Sequence, residues 1–144
     1  MIVIGLTGGI ASGKTTILNF IKKQNIPVHD SVDFVRRLYE NPTQNFLDYL
    51  KSIGLKNAIK KNKINKDVVR EEVFTNQVKL KKLEAKIHKK VRLSRNNFIK
   101  KQVQQGKKIV VLDIPLLFEN KLEKICNYIF LAHCSYRQRR SRAL

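Results

Sequence analysis

The residues best equipped for chemistry open the chain. Gly8-Gly9-Ile10-Ala11-Ser12-Gly13-Lys14-Thr15 fulfils G-x-x-x-x-G-K-S/T at every fixed position, and Thr16 follows. Glycines let a backbone wrap closely, so that successive N–H groups point inward at phosphate oxygens. A helix beginning at the lysine adds the positive end of its dipole to the same pocket. Lys14 is then placed to neutralise β- and γ-phosphate charge, the Thr15 hydroxyl to hold Mg²⁺, and Thr16 to reach the α-phosphate. Residues 8–16 are thus expected to bind ATP.

Such a loop needs a strand before it and a helix behind it, and both are legible. Residues 2–6 form a short apolar run ending at glycines, and residues 26–30, 109–113 and 128–132 are further expected strands. Short apolar runs without alternation suit strands buried on both faces, as in a parallel sheet. A helix is expected from about Lys14, with Ile17, Phe20 and Ile21 spaced to face that sheet, which makes a strand–helix–strand unit. This context argues against a chance glycine-rich turn.

No strand is expected between about residues 31 and 105. Val35, Leu38 and Tyr39, then Phe46, Leu47 and Leu50, are spaced as helical faces, interrupted by Asn41-Pro42. Leu80, Leu83, Ile87 and Val91 mark a long helix that runs on through Phe98 and Ile99 and stops at Gly106. The expected organisation is a single α/β domain over 1–144, its core at 1–30 and 106–144 and a helical insertion at about 31–105.

Hydrophobic residues make up 42% of the 144 and charged residues 28%, a balance that suits a globular chain with one ordinary core. Charge is the unusual feature, with 30 Lys and Arg against 11 Asp and Glu, a net +19. Residues 51–108 hold 19 basic and 4 acidic side chains, so +15 of that charge sits there. Such a field favours anionic partners. Lysines interleaved with Asn and Ile on helices are more often a solvated face, so charge alone does not choose one. No nucleic-acid module and no aromatic-rich platform accompanies it. No apolar run approaches the roughly 18 residues of a membrane span, and Met1 leads straight into the first strand without a basic leader. Cys126 and Cys134 form neither a disulfide framework nor a metal-ligand spacing. A cytoplasmic protein without a membrane partner or a specific nucleic-acid partner is the expectation.

Two stretches carry a family resemblance. Residues 4–16, Ile4-Gly5-Leu6-Thr7 followed by the loop, are close to I-G-L-T-G-G-I-x-S-G-K-S/T-T. Asp113-Ile114-Pro115-Leu116-Leu117-Phe118-Glu119 matches D-I/V-P-L-L-F-E completely. Val73-Phe74 and Leu83-Glu84-Ala85-Lys86-Ile87-His88 are weaker echoes of V-F and L-E-x-I/L-x-H-P. Together, from Met1 to about Ala132, they resemble the dephospho-coenzyme A kinase family. The resemblance implies an α/β P-loop kinase with a parallel sheet core and an inserted helical substrate-binding region. It implies ATP-dependent phosphorylation of the ribose 3′-hydroxyl of dephospho-coenzyme A, giving coenzyme A and ADP, with Mg²⁺ as cofactor. Lys14 would be catalytic, and Asp113 would act near Mg²⁺ or the acceptor hydroxyl. Pro115, Leu116, Leu117, Phe118 and Glu119 would shape the acceptor pocket, with core packing an equally compatible task for Leu116 to Phe118. His88 would join the acceptor site, or be a plain surface histidine.

The sequence departs from the family twice. Where the family has D-A-D, the gapless match is Asp30-Ser31-Val32, so valine stands at the position of the expected base. Asp33 follows one residue later, about 100° further round if this stretch is helical. Asp30 and Asp33 therefore both remain catalytic candidates. The family also continues well beyond the equivalent of Ala132, so the sequence is expected to be truncated at its C-terminal end. Arg137, Arg139, Arg140 and Arg142 either include an arginine for the migrating phosphoryl group or form a basic tail. Two other readings stand beside the kinase: an inactive nucleotide-binding remnant, and a basic nucleic-acid-binding protein. Oligomeric state is not legible.

Overall fold

The computed structural model describes residues 1–9 and 11–143, without the side chains of 139, 142 and 143. Ile10, expected to bind ATP, lies outside the described residues, as does Leu144. In chain order the elements are β1 (Ile2–Gly8), α1 (Lys14–Lys23), β2 (Val28–Asp30), α2 (Ser31–Glu40) and α3 (Gln44–Ser52). Then come β3 (Ile59–Lys60), β4 (Lys63–Ile64), α4 (Lys66–Phe74), α5 (Gln77–Gln104), β5 (Ile109–Asp113), β6 (Tyr128–Ala132) and α6 (Tyr136–Ala143). The chain divides into two compact units, residues 1–32 with 95–144, and residues 33–94.

The first unit is built on a parallel sheet of order β2-β5-β1-β6. Its central strands β1 and β5 bury both faces, as their unbroken apolar runs require. β6, expected to be buried in the same way, is instead an edge strand with Tyr128, Phe130 and Leu131 exposed. Val3, Val110 and Leu112 pack with Ile114 and Leu117 on one side; Leu6 and Val111 meet Leu18 of α1 on the other. The strand limits differ from expectation for local reasons. β2 starts at Val28 because Pro27 has no N–H for a ladder, although its carbonyl still accepts from Val111 N–H at 2.9 Å. β1 continues to Gly8 because β6 pairs alongside it as far as Ala132. The buried face of α1 also differs. Leu18 and Ile21 pack inward, whereas Ile17 and Phe20 are exposed. Lys14 sets the phase: its side chain is committed to Asp113, and Leu18 and Ile21 follow it at i+4 and i+7.

The second unit has a dry core of Leu38, Phe46, Leu50, Leu55, Ala58, Val69, Val73 and Leu83. Its helices start at side-chain caps. Thr43 Oγ1 accepts from Phe46 N–H at 3.2 Å, ahead of α3. Asn65 Oδ1 accepts from Asp67 and Val68 N–H at 3.0 and 3.3 Å, ahead of α4. Asn76 does the same for Val78 and Lys79 at 3.1 Å each, ahead of α5. Such caps each contribute about 1 kcal/mol.

Strand structure does occur in the stretch expected to lack it. β3 and β4 form an antiparallel hairpin, Ile59 opposite Ile64 and Lys60 opposite Lys63. Its turn residues Lys61 and Asn62 have φ of 50° and 61°, the two positive values of a type I′ turn. The usual sequence signal is a glycine in that turn, and Lys-Asn carries none. α5 supplies Leu80, Leu83 and Ile87 to the dry core and Phe98 and Ile99 to the sheet unit. It ends as expected near Gly106, where Lys107 N–H reaches Gln102 O and Gly106 N–H reaches Val103 O, both at 3.0 Å. That pair of bonds is a Schellman turn.

Candidate active site

The glycine-rich loop joins the C-terminal end of β1 to the N-terminus of α1. Gly8 must be glycine: a Cβ there would stand 2.8 Å from the Ala132 carbonyl oxygen and 2.6 Å from Ser12 Oγ. Gly13, with φ 93°, is the N-cap of α1 and brings no side chain to the helix's first N–H groups. Ser12 is buried, and its hydroxyl has no hydrogen-bond partner. The loop borders a cleft of about 570 Å³ that Thr15, Thr16 and Pro115 also line. Uncapped N–H groups, a buried hydroxyl without a partner and a lysine at one mouth are what an anion of phosphate size would satisfy.

Lys14 Nζ lies 3.0 Å from Asp113 Oδ1. Asp113 ends β5, directly beside Leu6 of β1 on one side and Asp30 of β2 on the other. Its carboxyl is pushed above the ordinary carboxylate value, chiefly by burial. Lys14 pulls it down and the Asp30 carboxylate pushes it up, and burial wins. Asp30 is itself paired, its Oδ2 lying 3.1 Å from Lys22 Nζ. Lys14, Asp113 and Asp30 are therefore brought together at the C-terminal ends of adjacent parallel strands, where open α/β sheets place their ligands.

Asp33 is placed differently. It belongs to the helical unit, in the first turn of α2, and both its oxygens are held by arginines. Arg36 Nε donates to Oδ1 at 3.1 Å, and Arg37 Nε lies 3.0 Å from Oδ2. Val32, at the position of the family's base, is 55% exposed. His88 is an exposed residue of α5 in the helical unit.

The stretch after Asp113 divides its tasks. Ile114 and Leu117 are core, with 3% and 0% exposure, while Leu116 and Phe118 are exposed by 61% and 53%. Glu119 is exposed too, and Pro115 borders the cleft. Leu116 has φ 55°, a conformation that costs a branched side chain energy and is often kept at binding surfaces. Following β6, α6 begins with a reciprocal cap: Gln138 N–H donates to Ser135 Oγ and Ser135 N–H to Gln138 Oε1, both at 3.3 Å. Arg137 and Arg140 on that helix are exposed.

One contact was not foreseen. The Cys134 thiol donates to the Ala11 carbonyl at 3.3 Å. Nothing in the sequence marks it, because the partners are 123 residues apart and neither belongs to a pairing motif.

Three kinds of similarity bear on this arrangement. The chain matches the family model CoaE, described as dephospho-CoA kinase, over residues 2–144. It is 38% identical to the dephospho-CoA kinase of Bartonella quintana over 86% of this chain and 62% of that protein. It is 34% identical to that of Bartonella henselae, over 100% of this chain and 72% of the relative. The chain thus spans about two thirds of these relatives' lengths. Among solved structures, TT1252 from Thermus thermophilus superposes with a TM-score of 0.78 at 28% identity, covering 99% of this chain and 70% of that one. The fold is shared with a dephospho-CoA kinase structure from Campylobacter jejuni, TM-score 0.68 at 19% identity, over 96% of this chain and 92% of that one. With a family match that runs from Ile2 to the last residue, this chain belongs to the dephospho-CoA kinase family.

Proposed function

We propose that the protein transfers the γ-phosphoryl group of ATP to the ribose 3′-hydroxyl of dephospho-coenzyme A, releasing ADP and coenzyme A. The observation that carries this reading is the pairing of Lys14 with the buried Asp113 beneath a loop whose N–H groups are uncapped. In this reaction class catalysis is mostly positioning and electrostatics, and those residues supply both. Loop N–H groups and Lys14 hold the donor's phosphates. Thr15 would hold Mg²⁺, which when bound neutralises phosphate charge. As the acceptor oxygen forms its bond to phosphorus and the bond to ADP breaks, the hydroxyl proton passes to a carboxylate. Asp30 is our assignment for that acceptor of the proton. Asp30 ends β2 directly beside Asp113, with its Oδ2 paired to Lys22, whereas Asp33 lies in the helical unit with both oxygens held by arginines.

The acceptor-binding role of residues 31–105 belongs to the same proposal, supported by the +15 charge over residues 51–108 and by the acceptor's own phosphates. So do the exposed Leu116 and Phe118, His88 and Glu119 as acceptor contacts, and a cytoplasmic location. Among the described residues no helix is long and apolar enough to cross a membrane.

The test is ADP release by the purified chain with Mg-ATP, with and without dephospho-coenzyme A, in moderate salt. Acceptor-dependent release that disappears in Lys14→Ala is expected. Binding of ADP by folded protein without acceptor-dependent turnover would sink the kinase reading and leave a nucleotide-binding remnant.

A further inference from the structure

The glycine-rich loop is held from behind by the end of β6. Register places Ala132 beside Gly8, and the Ala132 carbonyl fills the space a Cβ at Gly8 would need. Two residues further, the Cys134 thiol donates to the carbonyl of Ala11. Ala11 is the non-glycine residue with a left-handed backbone among the described residues of the loop. Its φ is 54°, in the left-handed region that a residue with a Cβ avoids. A carbonyl anchored in that conformation turns its peptide plane, and so sets the direction of the N–H of the next residue, Ser12, which itself closes onto the Gly9 carbonyl at 3.2 Å. The thiol belongs to the segment just beyond β6, two residues past Ala132.

We infer that Cys134 is a positioning residue for phosphate binding: its thiol holds Ala11 in its left-handed conformation before the nucleotide arrives. Preorganisation of this kind improves affinity by removing an ordering cost from the binding step. The other cysteine has a different situation. Cys126 donates to the Leu122 carbonyl at 3.7 Å, packs among the sheet-core residues, and has its thiol pushed up by burial. It serves as an internal control for thiol loss.

The inference concerns binding, so it does not need turnover. Isothermal calorimetry of ADP on the full chain would compare wild type with Cys134→Ala, Cys134→Ser and Cys126→Ala, and a thermal melt without nucleotide would be run on each. Loss of one hydrogen bond should weaken ADP binding by about two- to tenfold in Cys134→Ala. Cys134→Ser, whose hydroxyl also donates, should recover affinity to within about twofold. Cys126→Ala should lower the melting temperature while leaving the affinity close to wild type. Equal affinity in Cys134→Ala and wild type would overturn the inference. So would a serine variant as weak as the alanine one, because bulk rather than donation would then be at work. Wild-type protein that binds no ADP would instead overturn the nucleotide-site reading on which the positioning role depends.

Discussion

The two units bury different things. Every buried polar or charged residue described, from Thr7, Ser12, His29 and Ser31 to Arg95, Gln102 and Asp113, lies in the sheet unit. The helical unit buries only apolar side chains and satisfies its helix ends at the surface with Thr43, Asn65 and Asn76. Burying a polar group costs free energy unless it finds a partner, and in the sheet unit Asp113 finds one in Lys14. The helical unit has the composition of a part selected to fold. The sheet unit keeps polar groups inside, among them the Asp113 carboxylate against Lys14 and the Ser12 hydroxyl beside the loop.

That contrast predicts where substitutions are felt in rate and where in stability. Asp30→Asn should lower the turnover number by about 10²–10⁴-fold, the typical contribution of a general base. Asp33→Asn, which releases two surface arginines, should change it by only about threefold, since exposed ion pairs are worth little. Steady-state ADP release measures both. An Asp33→Asn loss as deep as that of Asp30→Asn would move the base into the helical unit and break the contrast. Val32→Asp sharpens it from the other side: the position is exposed, so aspartate is tolerated there, and turnover should rise.

Phe46→Ala strikes the dry core, where the side chain is fully buried and meets Tyr39 edge to face at a centroid distance of 5.7 Å. Large-to-small changes of this kind cost about 3–5 kcal/mol. Urea unfolding should show that loss, while ADP affinity measured in the folded baseline stays within about twofold. A large loss of affinity at unchanged stability would contradict the division of labour.

Legibility followed the same division. Glycines, a lysine and a hydroxyl at fixed spacing suit phosphate, so the end of β1 and the start of α1 were legible from residues 8–16. The strand at 109–113 was as plain, being apolar and short. Finer placement was not legible, because it is decided by partners remote in sequence. The inward face of α1 follows Lys14's commitment to Asp113, 99 positions away, rather than the bulk of Phe20. The hairpin at Lys61-Asn62 is made without the glycine that normally announces it. Leu116 and Leu117 look alike in sequence, yet one is exposed in a left-handed conformation and the other is core. Nothing around Cys134 in the sequence announces that β6 ends behind the loop and brings this thiol to the Ala11 carbonyl.

The smallest expected effect is a pH dependence that isolates Asp113. Burial raises its carboxyl above the ordinary value against the pull of Lys14, so the folded state binds that proton more tightly than the unfolded chain does. The stability this gives is fully present below the ordinary carboxylate value of about 4, and is lost as pH rises through the raised value. Other carboxylates titrate in the same range, so the useful quantity is a difference. Stability of wild type minus that of Asp113→Asn, from urea unfolding between about pH 4 and 7, should fall as pH increases, because only wild type has this group to ionise. A difference that instead grew with pH would mean that the Lys14 ion pair outweighs burial. The sheet unit's buried charge would then be a stabilising feature like the apolar core of the helical unit, rather than a cost retained for the site.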